Sequence, residues 1–177
     1  DTYPVGIYDS WDKHKDHYPI GVLFDSSQDE PNIAAVKLAI EDVNGPGGGL
    51  EEQKFAMFLC NYQDDDGTIG DNFVQEDAVQ TATRFLVNQV GVPVIVGPAG
   101  STDTIYAHDV AEEATAALIS PSATSVSLSD IGTEGEDLVW RTVGTDDVQA
   151  RIMAELINEN LSSSQDDDTG QVSPTLS

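Results

Sequence analysis

Short apolar runs alternate with stretches of helical periodicity from Pro19 to Asn160, and this alternation limits the possible folds more than any other feature. PIGVLF (19–24) reads as a strand. PNIAAVKLAIEDVN (31–44) reads as a helix, with Ile33, Val36, Ile40 and Val43 at helical spacing, Pro31 in its first turn and Gly45 past its end. KFAMFLC (54–60) is a strand, EDAVQTATRFLVNQV (76–90) a helix, and VPVIVG (92–97) a strand whose near-unbroken apolar run suits burial on both faces. A helix over 102–114, strands over 116–120 and 138–143, and a helix over 147–160 with Thr145 or Asp146 as its N-cap complete the series. Connections this short predict an α/β fold. The expected form is an open parallel sheet with helices on both faces.

Composition removes several function classes. Seven Lys and Arg stand against 32 Asp and Glu, a net charge of −25. Such a surface repels phosphate backbones and anionic lipid, so no nucleic-acid partner is expected. No run is long enough to span a bilayer as a helix. Cys60 is the only cysteine and sits in an apolar strand, the setting of an inert buried thiol.

The motifs of common chemistries fail on inspection. His14 and His17 lie in a polar segment that suits solvation better than a metal site. Asp64-Asp65-Asp66-Gly67 puts Tyr62 and Phe73 at the end positions of a calcium loop, where neither can ligate. Asp166-Asp167-Asp168 fails in the same way, with Gln165 first and Thr169 fifth. GPGGG (45–49) follows a helix and lacks the Lys-Ser/Thr ending of a phosphate loop, so it reads as a helix stop. Ser101 and Ser122 have no histidine in reach by spacing, since His108 falls two turns along the helix from Ser101. No metal, cofactor or catalytic residue is therefore assigned.

Two loops remain. Gly97-Pro98-Ala99-Gly100-Ser101 leaves a buried strand and opens a helix, where free N–H groups and the dipole favour an anion. LISPSATS (118–125) ends the next strand in hydroxyls. Ser101, Gly100, Ser122, Ala123 and Thr124 are the candidate ligand-binding residues, able to hold a carboxylate and an ammonium side by side. The competing reading, in which Ser101 caps its helix and SPSATS is a polar turn, stays open on spacing alone.

Residues 19–160 resemble the amino-terminal lobe of type I periplasmic solute-binding proteins, in particular the branched-chain amino-acid-binding proteins of ABC transporters. The resemblance rests on PIGVLF, AVKLAIEDVN, VPVIVGPAGS, ALISPSATS and VWRTVGTDDVQA, in that order. It implies a zwitterionic ligand such as an amino acid: Ser101 on its carboxylate, Thr124 on both ends, and the Ser122 carbonyl on its ammonium. It also implies a binding role without catalysis, an ABC permease as partner, and a periplasmic or extracellular location with a lipid anchor as one means of retention. A receptor or regulatory domain of the same fold is the alternative. A hydrolase-like enzyme is a third, and it needs a base from outside this chain.

The expected organisation is an extension over 1–18, a ligand-binding lobe over 19–145, and a crossover helix with a polar tail over 146–177, leading toward a second lobe. Apart from that lobe, Val148, Ile152, Leu156 and Ile157 are expected to seek another surface, including a non-native dimer through 147–160. The acidic loop DSSQDEP (25–31) is expected to disfavour a second acid on the ligand and to attract its ammonium. The excess of acid also suits a saline medium, where repulsion is screened. The melting temperature should accordingly rise as salt is added; a flat response would refute the saline reading.

Overall fold

The computed structural model describes residues 1–3, 5, 7, 17–51, 53–62, 75–131 and 138–166. In chain order the elements are β1 (Thr2–Tyr3), β2 (His17–Phe24), α1 (Glu30–Val43), β3 (Lys54–Asn61), α2 (Gln75–Arg84), β4 (Val94–Val96), α3 (Ser101–Glu113), β5 (Ala117–Ser120), β6 (Val139–Arg141) and α4 (Asp146–Asp166). The sheet runs β1-β3-β2-β4-β5-β6. Its five core strands pair in parallel, so the expected doubly wound architecture is present, with the strand order reversing between β2 and β4. One edge departs from the parallel pattern. β1 adds an antiparallel edge, with Thr2 opposite Phe58 and Tyr3 opposite Met57.

Alternation along the strands divides the core in two. Val22, Phe24 and Met57 face α1 and pack with Ile33 and Ile40. Leu23, Ala56, Phe58, Ile95 and Leu118 face the other way, against Val79 and Leu86 from the α2 segment and Ala107, Val110 and Ala111 from α3. Period-two alternation sends neighbouring residues to opposite layers, as right-handed crossovers require.

Local chemistry sets the element ends. α1 stops at the GPGGG turn, where Gly47 and Gly49 take positive φ. The Lys54 ammonium donates to the carbonyls of Asn44, Gly45 and Gly48 at 2.7, 3.1 and 3.0 Å, placing a cation at the negative helix end. The Asn44 amide pairs both ways with the Phe55 backbone at 2.8 Å, docking the helix end on β3. The helix expected over 76–90 differs in its last part. It widens into a π-helical turn over Phe85–Val90 before Gly91 closes it at φ +78°. The Cys60 thiol is half-buried and pushed up to about 11 by burial, so the inert reading holds.

Residues Asp1–Val143 form one compact unit and Gly144–Ser177 a second. In the second, α4 extends beyond the expected end, and Ile152, Met153, Leu156, Ile157 and Leu161 are exposed along one stripe. The histidine His14, the acidic run Asp64-Asp65-Asp66, residues Asp167 and Asp168, and the rest of the polar tail lie outside the described residues.

Gly97 is the tightest point of the fold near the loops. Its φ is +102°, and a Cβ there would run into the Leu23 carbonyl oxygen. Gly97→Ala should lower the unfolding free energy by about 2–4 kcal/mol, read from denaturant midpoints. An unchanged midpoint would show that the loop can move off β2.

Candidate functional site

The carboxyl ends of β2, β4 and β5 converge where the strand order reverses, and both hydroxyl loops sit there. The Gly97 N–H donates to Ile119 at 2.8 Å, continuing the β4–β5 pairing one residue past β4. The buried Ser120 hydroxyl donates to the Pro98 carbonyl at 2.6 Å and accepts from the Ala123 N–H at 3.2 Å. Ser122 donates to the Ala99 carbonyl at 3.0 Å, and the Ser125 N–H donates to the Ser101 hydroxyl at 3.2 Å. The two loops are thus stitched by side chains, and the residues expected at the site are brought together.

The geometry corrects one part of the competing reading, that Ser101 caps its helix. Gly100, not Ser101, is the N-cap of α3, in extended backbone, and no side chain caps the helix. Ser101 is the first helical residue. Its oxygen takes the Ser125 N–H, a role that does not use its own proton. The first intrahelical bond runs from Thr104 to Gly100, so the N–H groups of Ser101, Thr102 and Asp103 have no partner within the helix. Thr124 is half-buried, Ala123 buried, and Ser122 and Gly100 exposed. Ser120, at the end of its strand, makes the buried bond that joins the loops.

Arg141 fixes the far side of the second loop. Its guanidinium donates to the Ser125 carbonyl at 2.8 Å and to the Ser129 hydroxyl at 2.7 Å. Thr142 adds its N–H to the Ser120 carbonyl at 3.1 Å and its hydroxyl to the Pro121 carbonyl at 3.2 Å. Ser125 is therefore held at its N–H from α3 and at its carbonyl from β6, with Thr124 directly before it.

Beneath the first turn of α3 lies an acidic group that sequence reasoning missed. Asp103 is buried and accepts from the Tyr62 hydroxyl at 3.1 Å and from the Gln75 amide at 2.6 Å. Asp25, buried at the end of β2, accepts from Ser27 and Gln28, and Asp29 accepts from Asn32. Burial holds the Asp103 carboxyl above the ordinary range; the two hydrogen bonds pull it down, and the charges of Asp25 and Asp29 push it up. Burial likewise raises Asp29. Burial, with Asp103 beside it, drives the Tyr62 phenol well above its ordinary value. The one available signal was Asp103 at the third helical position after Gly100, where an acid commonly faces a helix start.

The arrangement does not assemble a nucleophile. Ser101 and Ser122 hydrogen-bond to backbone groups, and His108 is buried along α3 with its Nδ1 3.6 Å from the Asp109 carboxylate. A groove of about 480 Å3 between α1 and the sheet, lined by Ile20, Phe24, Val36, Ile40, Phe55 and Val96 among others, has Asn32 as its only polar side chain. It offers nothing for the two charged ends of a zwitterion. Among the described residues no group of His, Cys, Asp and Glu is arranged to hold a metal ion, and no helix is long and apolar enough to cross a membrane.

Residues 33–160 match the receptor family ligand binding region, and the chain belongs to that family. Within it, the chain is similar to the leucine-, isoleucine-, valine-, threonine- and alanine-binding protein of Pseudomonas aeruginosa, at 29% identity over 126 residues, covering 71% of this chain and 30% of that protein. The fold is shared with an ABC transporter substrate-binding protein from Desulfitobacterium hafniense solved with Leu (TM-score 0.66, 22% identity, covering 81% of this chain and 39% of that one). It is also shared with the branched-chain amino acid transporter substrate binding protein LivJ from Streptococcus pneumoniae, solved with isoleucine (TM-score 0.60, 24% identity, covering 73% and 34%). The chain spans about a third of the length of these relatives.

The raised Asp103 carboxyl has a consequence for stability. A carboxyl with a folded-state pKa above its unfolded value binds protons more readily when folded. It therefore lowers stability at neutral pH, and the loss is relieved as pH falls through the folded value toward about 3.9, the unfolded one. The unfolding free energy of the wild type minus that of Asp103→Asn should rise between neutral pH and about pH 4. A difference flat in pH would show that burial does not perturb this group.

Proposed function

We propose that this chain is the amino-terminal ligand-binding lobe of an extracytoplasmic solute-binding protein, which takes an amino acid or similar small zwitterion for an ABC permease and performs no chemistry on it. The stitching of the two loops carries the reading. It leaves the Ser101 proton, the Thr124 hydroxyl and N–H, and the Ser122 carbonyl as donors and acceptors for a carboxylate beside an ammonium, with Gly100 and Ala123 as the backbone between them. Family membership and the names of the similar proteins, binding proteins for aliphatic amino acids, support the same class.

On this reading residues 19–145 form the body of the lobe, and the expected extension over 1–18 adds Thr2–Tyr3 and His17–Tyr18 to its sheet. Residues 146–177 lead toward a second lobe, which supplies the contacts to the ligand side chain. The protein works on the periplasmic or extracellular side. In residues 1–177 alone, the exposed stripe of α4 is covered by a second copy; sedimentation should find a dimer, and a stable monomer would rule that out.

Calorimetry on the full-length protein with L-leucine, L-isoleucine and L-alanine tests the main reading. A bond to a charged group contributes about 1.5–3 kcal/mol, so Ser101→Ala and Thr124→Ala should each weaken binding by about ten- to a hundredfold. No binding of any of the three, or unchanged affinity in both variants, would overturn the proposal.

A further inference from the structure

We propose that Asp103 is a specificity-determining residue of this clamp: its carboxylate lets the clamp accept a carboxylate only when the same ligand carries a cation, so that zwitterions bind and plain carboxylic acids are turned away. The inference rests on the ligand reading above and deepens it. Ser101 and Asp103 share the first turn of α3. The Asp103 carboxylate leans back on the helix start, where an ideal Cβ on Gly100 would lie 3.2 Å from its Oδ2. A ligand carboxylate drawn to the Ser101 hydroxyl and the free N–H groups of that turn would therefore approach a second carboxylate.

Among the described residues, no cation is hydrogen-bonded to that charge. Both Asp103 oxygens accept hydrogen bonds from neutral donors, Tyr62 and Gln75, the pattern of an ionised acid. From the loop after β2, Asp25 and Asp29 add two more acids, and their side-chain partners, Ser27, Gln28 and Asn32, are also neutral. The Arg141 guanidinium is spent on Ser125 and Ser129. The hydroxyls and N–H groups of the two loops would suit any carboxylate, so they do not choose between an amino acid and its deaminated analogue. A buried, unpaired like charge does choose, because repulsion at a few ångströms in a poorly screened site changes affinity by about tenfold or more. An ammonium on the same ligand reverses the sign, and the Ser122 carbonyl is placed to orient it.

The test compares two probes of one carbon skeleton on the full-length protein, L-leucine and 4-methylpentanoate, which lacks the ammonium. In Asp103→Asn the preference for leucine should fall about tenfold: leucine loses an attraction and the plain acid loses a repulsion. Asp103→Glu should keep the wild-type preference. Asp29→Asn, at a half-buried side chain hydrogen-bonded to Asn32, should lower the preference by a smaller factor and serves if Asp103→Asn fails to fold. If leucine binds but the preference is unchanged in every neutral variant that folds, the role of Asp103 is overturned while the ligand reading stands. If the wild type binds no zwitterion, both fall together.

Discussion

The hydrogen bond from Ser120 to the Pro98 carbonyl is the contact on which the rest of the site depends. Parallel strands β4 and β5 end side by side, but their pairing stops there, and each loop must find partners for its own backbone. Pro98 is fully buried, so its carbonyl needs a donor from within the protein. Ser120 provides one and takes the Ala123 N–H in return, closing the two loops into a single surface. The Ser125–Ser101 bond then joins the second loop to the start of α3, and Arg141 holds its other side.

Charge is distributed with the same asymmetry. In a chain with so few cations, Lys54 closes the end of α1 and Arg141 pins a loop carbonyl; neither neutralises an acid at the carboxyl end of the sheet. Asp25, Asp29 and Asp103 are solvated there by neutral donors instead. Hydrogen bonds of that kind satisfy oxygen lone pairs without cancelling charge, so the site keeps a negative field inside low-dielectric surroundings. On the proposed reading, donors above and acids below suit a ligand with both signs of charge.

Much of this was legible in the residues. Alternating apolar runs placed every core strand within a few positions, because burial on two faces needs continuous hydrophobicity whichever helix covers it. The two loops stood out because hydroxyls and glycines follow buried strands only where backbone must turn or bind. The partner and antiparallel sense of the edge strand Thr2–Tyr3 were not readable, since two residues carry no periodicity. Nor was the π-helical turn at Phe85–Val90, whose apolar spacing fits an ordinary helix. Ser120 looked like a turn residue because its partner, Pro98, lies 22 positions away. Asp103 looked like one more solvated acid among many.

The sequence by itself determined the class of fold, the helix stop at GPGGG and the two loops that meet at the site, because these depend on local periodicity and on backbone chemistry within a few residues. Tertiary structure alone decided that Gly100 and not Ser101 caps α3, that Ser120 is the stitch, and that Tyr62, Gln75 and Asp103 converge. Each of those depends on a contact between segments that are distant along the chain. No pattern within a segment encodes which buried polar group will find which partner.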